Sequence, residues 1–153
     1  MNRSLLVPMC WLYAHTPLPL MAEVDFKLPY PDGRTYRVSQ GNRADTNGGQ
    51  QPDADGTHGC FTQNSQSCNP LERFAFDFAM PEDSTVVASA DGVVKFVRHD
   101  SNTGGCSSSF KNDANHIVID HSDRTSTLYL HLKHNSALVA AGDTVWQGQP
   151  IAK

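Results

Sequence analysis

The feature of this sequence that most constrains its fold is segment 127–132, in which leucines alternate strictly with other residues. The segment reads Thr-Leu-Tyr-Leu-His-Leu. A period of two is typical of a half-buried β-strand. It predicts that three leucines face the core: Leu128, Leu130 and Leu132. Thr127, Tyr129 and His131 would then share the opposite face, where His131 is presented to whatever lies above the sheet.

A second polar residue stands out at Asp77, inside the apolar run 74–78 that reads Phe-Ala-Phe-Asp-Phe. A carboxylate in such a run needs a cation, a metal ion or several hydrogen-bond donors. The residues alone favour a structural role, because buried acids are usually paired and Arg73 is close in sequence. The alternative is that Asp77 is a metal ligand.

The rest of the compact region also predicts antiparallel β-structure. Segments 85–90 and 93–97 are rich in valine and flank Asp91-Gly92, a dipeptide typical of tight hairpins. Segments 116–121 and 127–132 flank 122–126, which predicts a second hairpin. No window has a sustained helical period, so the fold class is predicted to be all-β.

Length and charge limit the range of functions. A chain of 153 residues is enough for one domain with a substantial core. The formal net charge is −4, and no block of like charges occurs. We therefore expect no nucleic-acid partner.

The N-terminal region divides into two parts. Residues 1–22 contain Arg3, an apolar stretch and Met21-Ala22, which is the pattern of an export signal. Three prolines and His15 interrupt the apolar stretch, so no membrane span is expected. Residues 23–56 are predicted to be an N-terminal extension and polar linker. The protein is therefore expected in the periplasm, the cell envelope or the medium.

Three cysteines would remain after removal of the signal: Cys60, Cys68 and Cys106. The first two bracket a short polar loop, and closing it requires little ordering of the chain. In an exported protein this spacing predicts a Cys60–Cys68 disulfide, with Cys106 unpaired.

Several motifs in 57–153 together resemble the lysostaphin-like zinc peptidoglycan endopeptidases. Phe-Ala-Phe-Asp-Phe-Ala-Met-Pro at 74–81 resembles the family segment whose aspartate binds zinc. Segment 115–121, Asn-His-Ile-Val-Ile-Asp-His, and segment 128–132, Leu-Tyr-Leu-His-Leu, resemble a later hairpin. Segments 86–94 and 142–151 match the family's turns in the same order.

The resemblance implies roles for individual residues. A catalytic zinc takes three protein ligands and leaves one position for water. By resemblance, Asp77 is the carboxylate ligand and His131 is a catalytic histidine beside the metal. The family's ligand four residues before the aspartate is replaced by Arg73, which cannot bind zinc because it stays charged. His58 is the candidate replacement, and the Cys60–Cys68 loop would then be an insertion between the ligands.

One family motif is missing. The final His-x-His, which supplies the third ligand and the other catalytic histidine, does not occur in this sequence. We therefore expect residues 57–153 to form a metallopeptidase-like β domain without its last strand and motif. Zinc binding is expected to be weak.

Three functions compete at this stage. The first is a monomeric zinc endopeptidase-type domain that acts on peptidoglycan cross-link peptides and is inactive or incomplete as written. The second is a degenerate domain that binds cell-wall peptides or regulates a partner hydrolase. The third is a biotinyl or lipoyl carrier, which segment 142–152 resembles. The carrier is disfavoured because neither tight turn offers a lysine, and Lys95 lies within a predicted strand.

Overall fold

The computed structural model describes residues 23–42, 57–58, 74–104, 108–110 and 112–153. No α-helix occurs in these ranges. The described part of the chain therefore has no helix long and apolar enough to cross a membrane. Besides a 3₁₀ turn at Ser108–Phe110, the described elements are strands: β1 (Val38–Asn42), β2 (Thr57–His58), β3 (Asp77–Phe78), β4 (Val86–Val87), β5 (Gly92–Arg98), β6 (His116–Asp120), β7 (Ser126–Leu130), β8 (Thr144–Val145) and β9 (Pro150–Ala152).

The strands form three sheets with the orders β2-β1-β3, β4-β9 and β7-β6-β5-β8. Every pairing among these strands is antiparallel except that of β1 with β2, which is parallel. The predicted all-β, mainly antiparallel fold class is confirmed.

The core lies against one face of the four-stranded sheet. In β6 the burial of the side chains alternates along the strand, with Ile117 and Ile119 fully buried. They pack in one cluster with residues from every sheet except β2-β1-β3: Ala88, Val94, Tyr129, Leu132, Val145, Ile151 and Ala152. This alternation is what the period of two predicted.

The hairpin between β6 and β7 is also confirmed. The two strands pair antiparallel from His116 with Leu130 to Asp120 with Ser126. In the turn, the His121 N–H donates to the Thr125 carbonyl at 2.9 Å. Arg124 takes the left-handed conformation that a tight turn requires, with φ of 71°.

The predicted faces of β7 are wrong. Tyr129 is buried, with 7% exposure, and pairs with Ile117, whereas Leu128 and Leu130 are 47% and 41% exposed. Leu132 is buried as predicted, although β7 ends at Leu130. The alternation fails because the backbone changes course at His131, where φ is 62°.

The predicted hairpin at Asp91-Gly92 is also wrong. Strand β4 pairs with β9, and β5 pairs with β6 and β8. Gly92 is needed for packing, because a Cβ atom there would lie 2.5 Å from the Asp120 carbonyl oxygen. The glycine therefore marks a close approach of β5 to β6 and not a hairpin turn.

The region before residue 57 contributes a strand and an aromatic cluster. Strand β1 lies within the predicted 23–56 extension and pairs with β3. Tyr30 is buried and makes edge-to-face contacts with Tyr36 and Phe78 at centroid distances of 4.9 and 5.5 Å. The predictions for the 1–22 signal, the Cys60–Cys68 disulfide, Cys106 and Arg73 lie outside the described residues.

Candidate functional site

His131 lies directly after β7 at a break in the strand pairing. The last regular pair is Leu130 with His116, so the next pair would be His131 with Asn115. Instead, the N–H of Leu132 donates to the Asn115 carbonyl at 3.2 Å. Two residues thus lie opposite one just beyond the end of the β6–β7 pairing. We call this extra residue the bulge, because it resembles the β-bulges that are often found beside active sites.

The bulge turns the His131 side chain into solvent. Tyr129 is buried, so strict alternation would direct His131 toward the same core. In the structure His131 is exposed and Leu132 returns to the core. The left-handed conformation costs an L-residue about 1–2 kcal/mol relative to its usual conformations. Such local strain is concentrated at functional sites, so it marks His131 as a candidate.

His121, which directly follows β6, has a structural role. Its ring is buried, with Nδ1 2.7 Å from the Asp91 carbonyl and Nε2 3.0 Å from the Thr127 hydroxyl. Because a carbonyl oxygen only accepts, Nδ1 carries a proton. Both ring nitrogens are satisfied, so this histidine belongs to the packing of the fold.

Asp77 is exposed at the start of β3. It pairs with Gln40 of β1 across a register shift, and its carbonyl accepts a hydrogen bond from the Ser39 hydroxyl at 3.2 Å. The interpretation of Asp77 as a buried acid is therefore wrong. The need for a cation, a metal ion or several donors was argued from burial, and burial does not hold at this position.

The backbone positions of His58 and Asp77 belong to one sheet. His58 pairs with Asn42 and Asp77 pairs with Gln40, so both flank β1 at positions two residues apart. Neighbouring strands lie about 4.8 Å apart, which separates β2 from β3 by about 9.6 Å. The sheet thus places the two predicted ligand positions on opposite sides of β1, offset by two residues along that strand.

An exposed ion pair connects the segment after His131 to the segment after Asp77. The Lys133 ammonium donates to the Asp83 carboxylate at 2.7 Å and lies 3.7 Å from Glu82. The hydrogen bond from Lys133 lowers the pKa of Asp83 below 3.8. The same bond raises the pKa of Lys133 above 10.5. This contact joins a residue two positions after His131 to a residue six positions after Asp77.

The described residues do not include a complete metal site. No group of three or more His, Cys, Asp or Glu side chains among them is arranged to hold a metal ion. A catalytic zinc requires three protein ligands. The described donor set therefore does not fit a fully ligated zinc.

Sequence reasoning missed Asn115. It lies one residue before β6 and is 5% exposed. Its carbonyl accepts from Leu132, and its side-chain amide also contacts that residue. In the sequence, Asn115 is only a polar residue directly before a predicted strand. That position does not indicate which groups its amide would bind.

Residues 73–153 match the sequence model of peptidase family M23. The matched stretch is more than half of the 153-residue chain, so the chain belongs to this family. The resemblance to the lysostaphin-like metallopeptidases, drawn from the motifs, is confirmed. The family is described as a peptidase family.

A solved structure is also similar to this chain. It is described as a crystal structure of a zinc containing peptidase from Vibrio cholerae, with 32% sequence identity and a TM-score of 0.39. The similarity covers 55% of this chain and 24% of that chain, so the chain spans about a quarter of that peptidase's length. No curated protein matches the chain.

Proposed function

We propose that this chain carries a zinc endopeptidase-type domain that acts on peptidoglycan cross-link peptides. The observation that carries the proposal is the M23 match over 73–153, a stretch that contains both Asp77 and His131. Both side chains are exposed, Asp77 at the start of β3 and His131 directly after β7, where a peptide substrate can reach them.

In this proposal, His131 orients the substrate or moves a proton beside the metal. A positioned histidine of this kind contributes typically 10²–10⁴-fold to a rate. The bulge supports the role, because it directs the imidazole away from the core that alternation would have chosen. The neighbouring His134, also exposed, has no such backbone feature and serves as a control.

Zinc is the proposed cofactor, with Asp77 and His58 as its two protein ligands in this chain. Bound zinc would supply an activated water and polarise the scissile carbonyl. Two ligands leave the coordination incomplete, so we expect weak metal binding. We therefore propose that the 153-residue chain by itself has negligible hydrolase activity.

The test measures zinc content and the release of peptides from purified peptidoglycan by the purified chain. We expect zinc well below one equivalent after dialysis and no release above background. Asp77→Ala should abolish the residual zinc binding, and His134→Ala should leave it unchanged. Stoichiometric zinc together with measurable hydrolysis would overturn the proposed inactivity. Equal zinc binding by Asp77→Ala and the unmodified chain would overturn the ligand assignment.

A second candidate is a non-catalytic domain that binds cell-wall peptides or regulates a partner hydrolase. It is favoured by the absence of a three-ligand group among the described residues. Peptide binding that survives Asp77→Ala and chelator treatment would support it. Binding lost under both treatments would support the metallopeptidase.

Export to the periplasm, envelope or medium, and a monomeric state, complete the proposal. The basis for export is the signal-like pattern of residues 1–22. N-terminal sequencing of protein recovered from the envelope or medium tests it. An intact Met1 on protein retained in the cytoplasm would contradict it.

A further inference from the structure

Asn115 is buried beside the bulge that presents His131. Its side-chain amide forms a reciprocal pair with the backbone of Ser101: the Ser101 N–H donates to Oδ1 and Nδ2 donates to the Ser101 carbonyl, both at 2.9 Å. This pair fixes the plane and the orientation of the amide, because an inverted amide would face N–H with NH₂ and carbonyl with carbonyl.

The second proton on Nδ2 is then directed to the Leu132 carbonyl, 3.2 Å away. The backbone carbonyl of Asn115 accepts from the Leu132 N–H, also at 3.2 Å. One residue therefore binds both backbone groups of Leu132. Leu132 is itself buried in the core cluster, so it is fixed from two sides.

His131 lies between two fixed residues. Leu130 is held by its pairing with His116, and Leu132 is held by Asn115. The path between these anchors contains one residue more than a regular ladder allows, which forces the left-handed conformation at His131. If Leu132 were released, residue 131 could rejoin the ladder on the face of Tyr129.

We propose that Asn115 is a positioning residue: its side-chain amide locks Leu132 and so holds the His131 imidazole outward at the candidate site. This inference rests on the proposed function only in giving His131 a role at the candidate site. The hydrogen bonds of Asn115 and the conformation of His131 can be tested without hydrolysis or zinc.

The first test uses the unmodified full chain and NMR spectroscopy. The side-chain NH₂ protons of Asn115 should exchange with solvent at least about tenfold more slowly than those of the exposed Asn102. A hydrogen-bond scalar coupling should connect Asn115 Nδ2 to the Leu132 carbonyl carbon. Exchange as fast as that of Asn102 and no coupling would overturn the proposal without any variant.

The second test compares Asn115→Ala and Asn115→Asp with Tyr129→Phe. The Asp substitution removes both amide donors but keeps the oxygen that accepts from Ser101. Tyr129 lies two residues before His131. Tyr129→Phe removes a buried hydroxyl that accepts from the Ser89 N–H at 2.7 Å. It therefore serves as a control for destabilisation alone.

Both Asn115 variants should move the backbone shifts of His131 from left-handed toward extended values. They should also speed amide exchange at Leu132 about tenfold. Tyr129→Phe should leave the His131 shifts in place. Unchanged His131 shifts in a folded Asn115 variant, or an equal change in Tyr129→Phe, would refute the positioning role. The function would instead be overturned by stoichiometric zinc with measurable hydrolysis, or by equal zinc binding in Asp77→Ala. Neither result depends on the His131 shifts, so the two proposals fail separately.

Discussion

The two positions that define the candidate site are held by the fold in contrasting ways. His131 follows a five-residue strand in the four-stranded sheet, and the next residue, Leu132, belongs to the core cluster. Asp77 begins a two-residue strand whose described pairing partner is β1, and its neighbours Phe74 and Phe76 are largely exposed. His131 is therefore held by buried hydrogen bonds and core packing next to it, whereas Asp77 is held by a short strand at the edge of a sheet.

This contrast shows where the rigidity of the site comes from. Burial of apolar surface is the main stabilising contribution, and local opening is easiest where few such contacts exist. We therefore expect the histidine side of the site to stay formed while the aspartate side opens. A metal ligand on the looser side would gain order from the metal it binds.

The largest expected effect comes from removing one aromatic side chain on each side. Tyr129→Ala deletes a buried ring and should lower the free energy of unfolding by about 3–5 kcal/mol. Phe76 is 50% exposed and stacks on Phe78 at 6.4 Å, so Phe76→Ala should cost about 1 kcal/mol or less. Urea denaturation measures both, and equal losses would mean that the aspartate side is as firmly built as the histidine side.

The second effect concerns the close contact of β5 with β6 that supports the histidine side. An alanine Cβ at position 92 would also lie 2.6 Å from Cγ2 of Ile119, and that atom is fully buried with its side chain. Gly92→Ala should therefore cost about 1–3 kcal/mol, as overpacked cores do.

Gly104→Ala is the matched control, because a Cβ atom added there would have nothing within 4 Å. It should be nearly neutral in the same denaturation measurement. If Gly92→Ala were equally neutral, β5 and β6 would have room to shift apart and accommodate the added Cβ atom.

The same two regions explain which features were predictable from sequence. Strand β6 has the alternating burial expected of a strand with one face on the core, with Ile117 and Ile119 on the buried face. Asp77 and His131 were predicted as site positions because each is a polar residue in an apolar run, and their roles stay predictions. The faces of β7 were not predictable, because a single left-handed residue at His131 shifts the pattern and hydrophobicity does not encode that conformation.

Pairing over long sequence distances was the other limit. The valines of β4 and β5 fit a local hairpin equally well, but β4 pairs with β9, more than 60 residues away. A dipeptide such as Asp91-Gly92 is compatible with a tight turn or with close packing of two strands, and the sequence does not distinguish the two. Asn115 was missed for a similar reason, since its value lies in contacts with Ser101 and Leu132.

The third effect concerns the left-handed conformation of His131, which we expect to destabilise the folded chain. His131→Gly should raise the free energy of unfolding by about 0.5–1 kcal/mol, because glycine adopts this conformation without a Cβ clash. Leu130→Gly, one residue earlier within β7, should lower it. Destabilisation by His131→Gly comparable to that of Leu130→Gly would show that the imidazole contributes packing, and the candidate assignment would weaken.

The smallest effect comes from the Lys133–Asp83 ion pair that links the two sides. Both side chains are substantially exposed, so the pair contributes little and is screened by salt. Because the pKa of Asp83 is lowered, its contribution is present above pH 3.8 and is lost as the pH falls through the folded-state value. The raised pKa of Lys133 makes its contribution present below pH 10.5 and lost as the pH rises further.

Asp83→Asn should therefore reduce the acid-side loss of stability and speed amide exchange at Ala79, next to β3, without changing exchange at Ile117.

The matched control is Asp120→Asn, which breaks the exposed pair with Lys95 inside the four-stranded sheet. Since hydrogen bonds from Ser126 and Lys95 also lower the pKa of Asp120, this variant should show a similar acid response. It should leave Ala79 exchange unchanged, because its pair does not connect the two sides. Equal Ala79 exchange in both variants would mean that Lys133 and Asp83 do not couple the aspartate side to the histidine side.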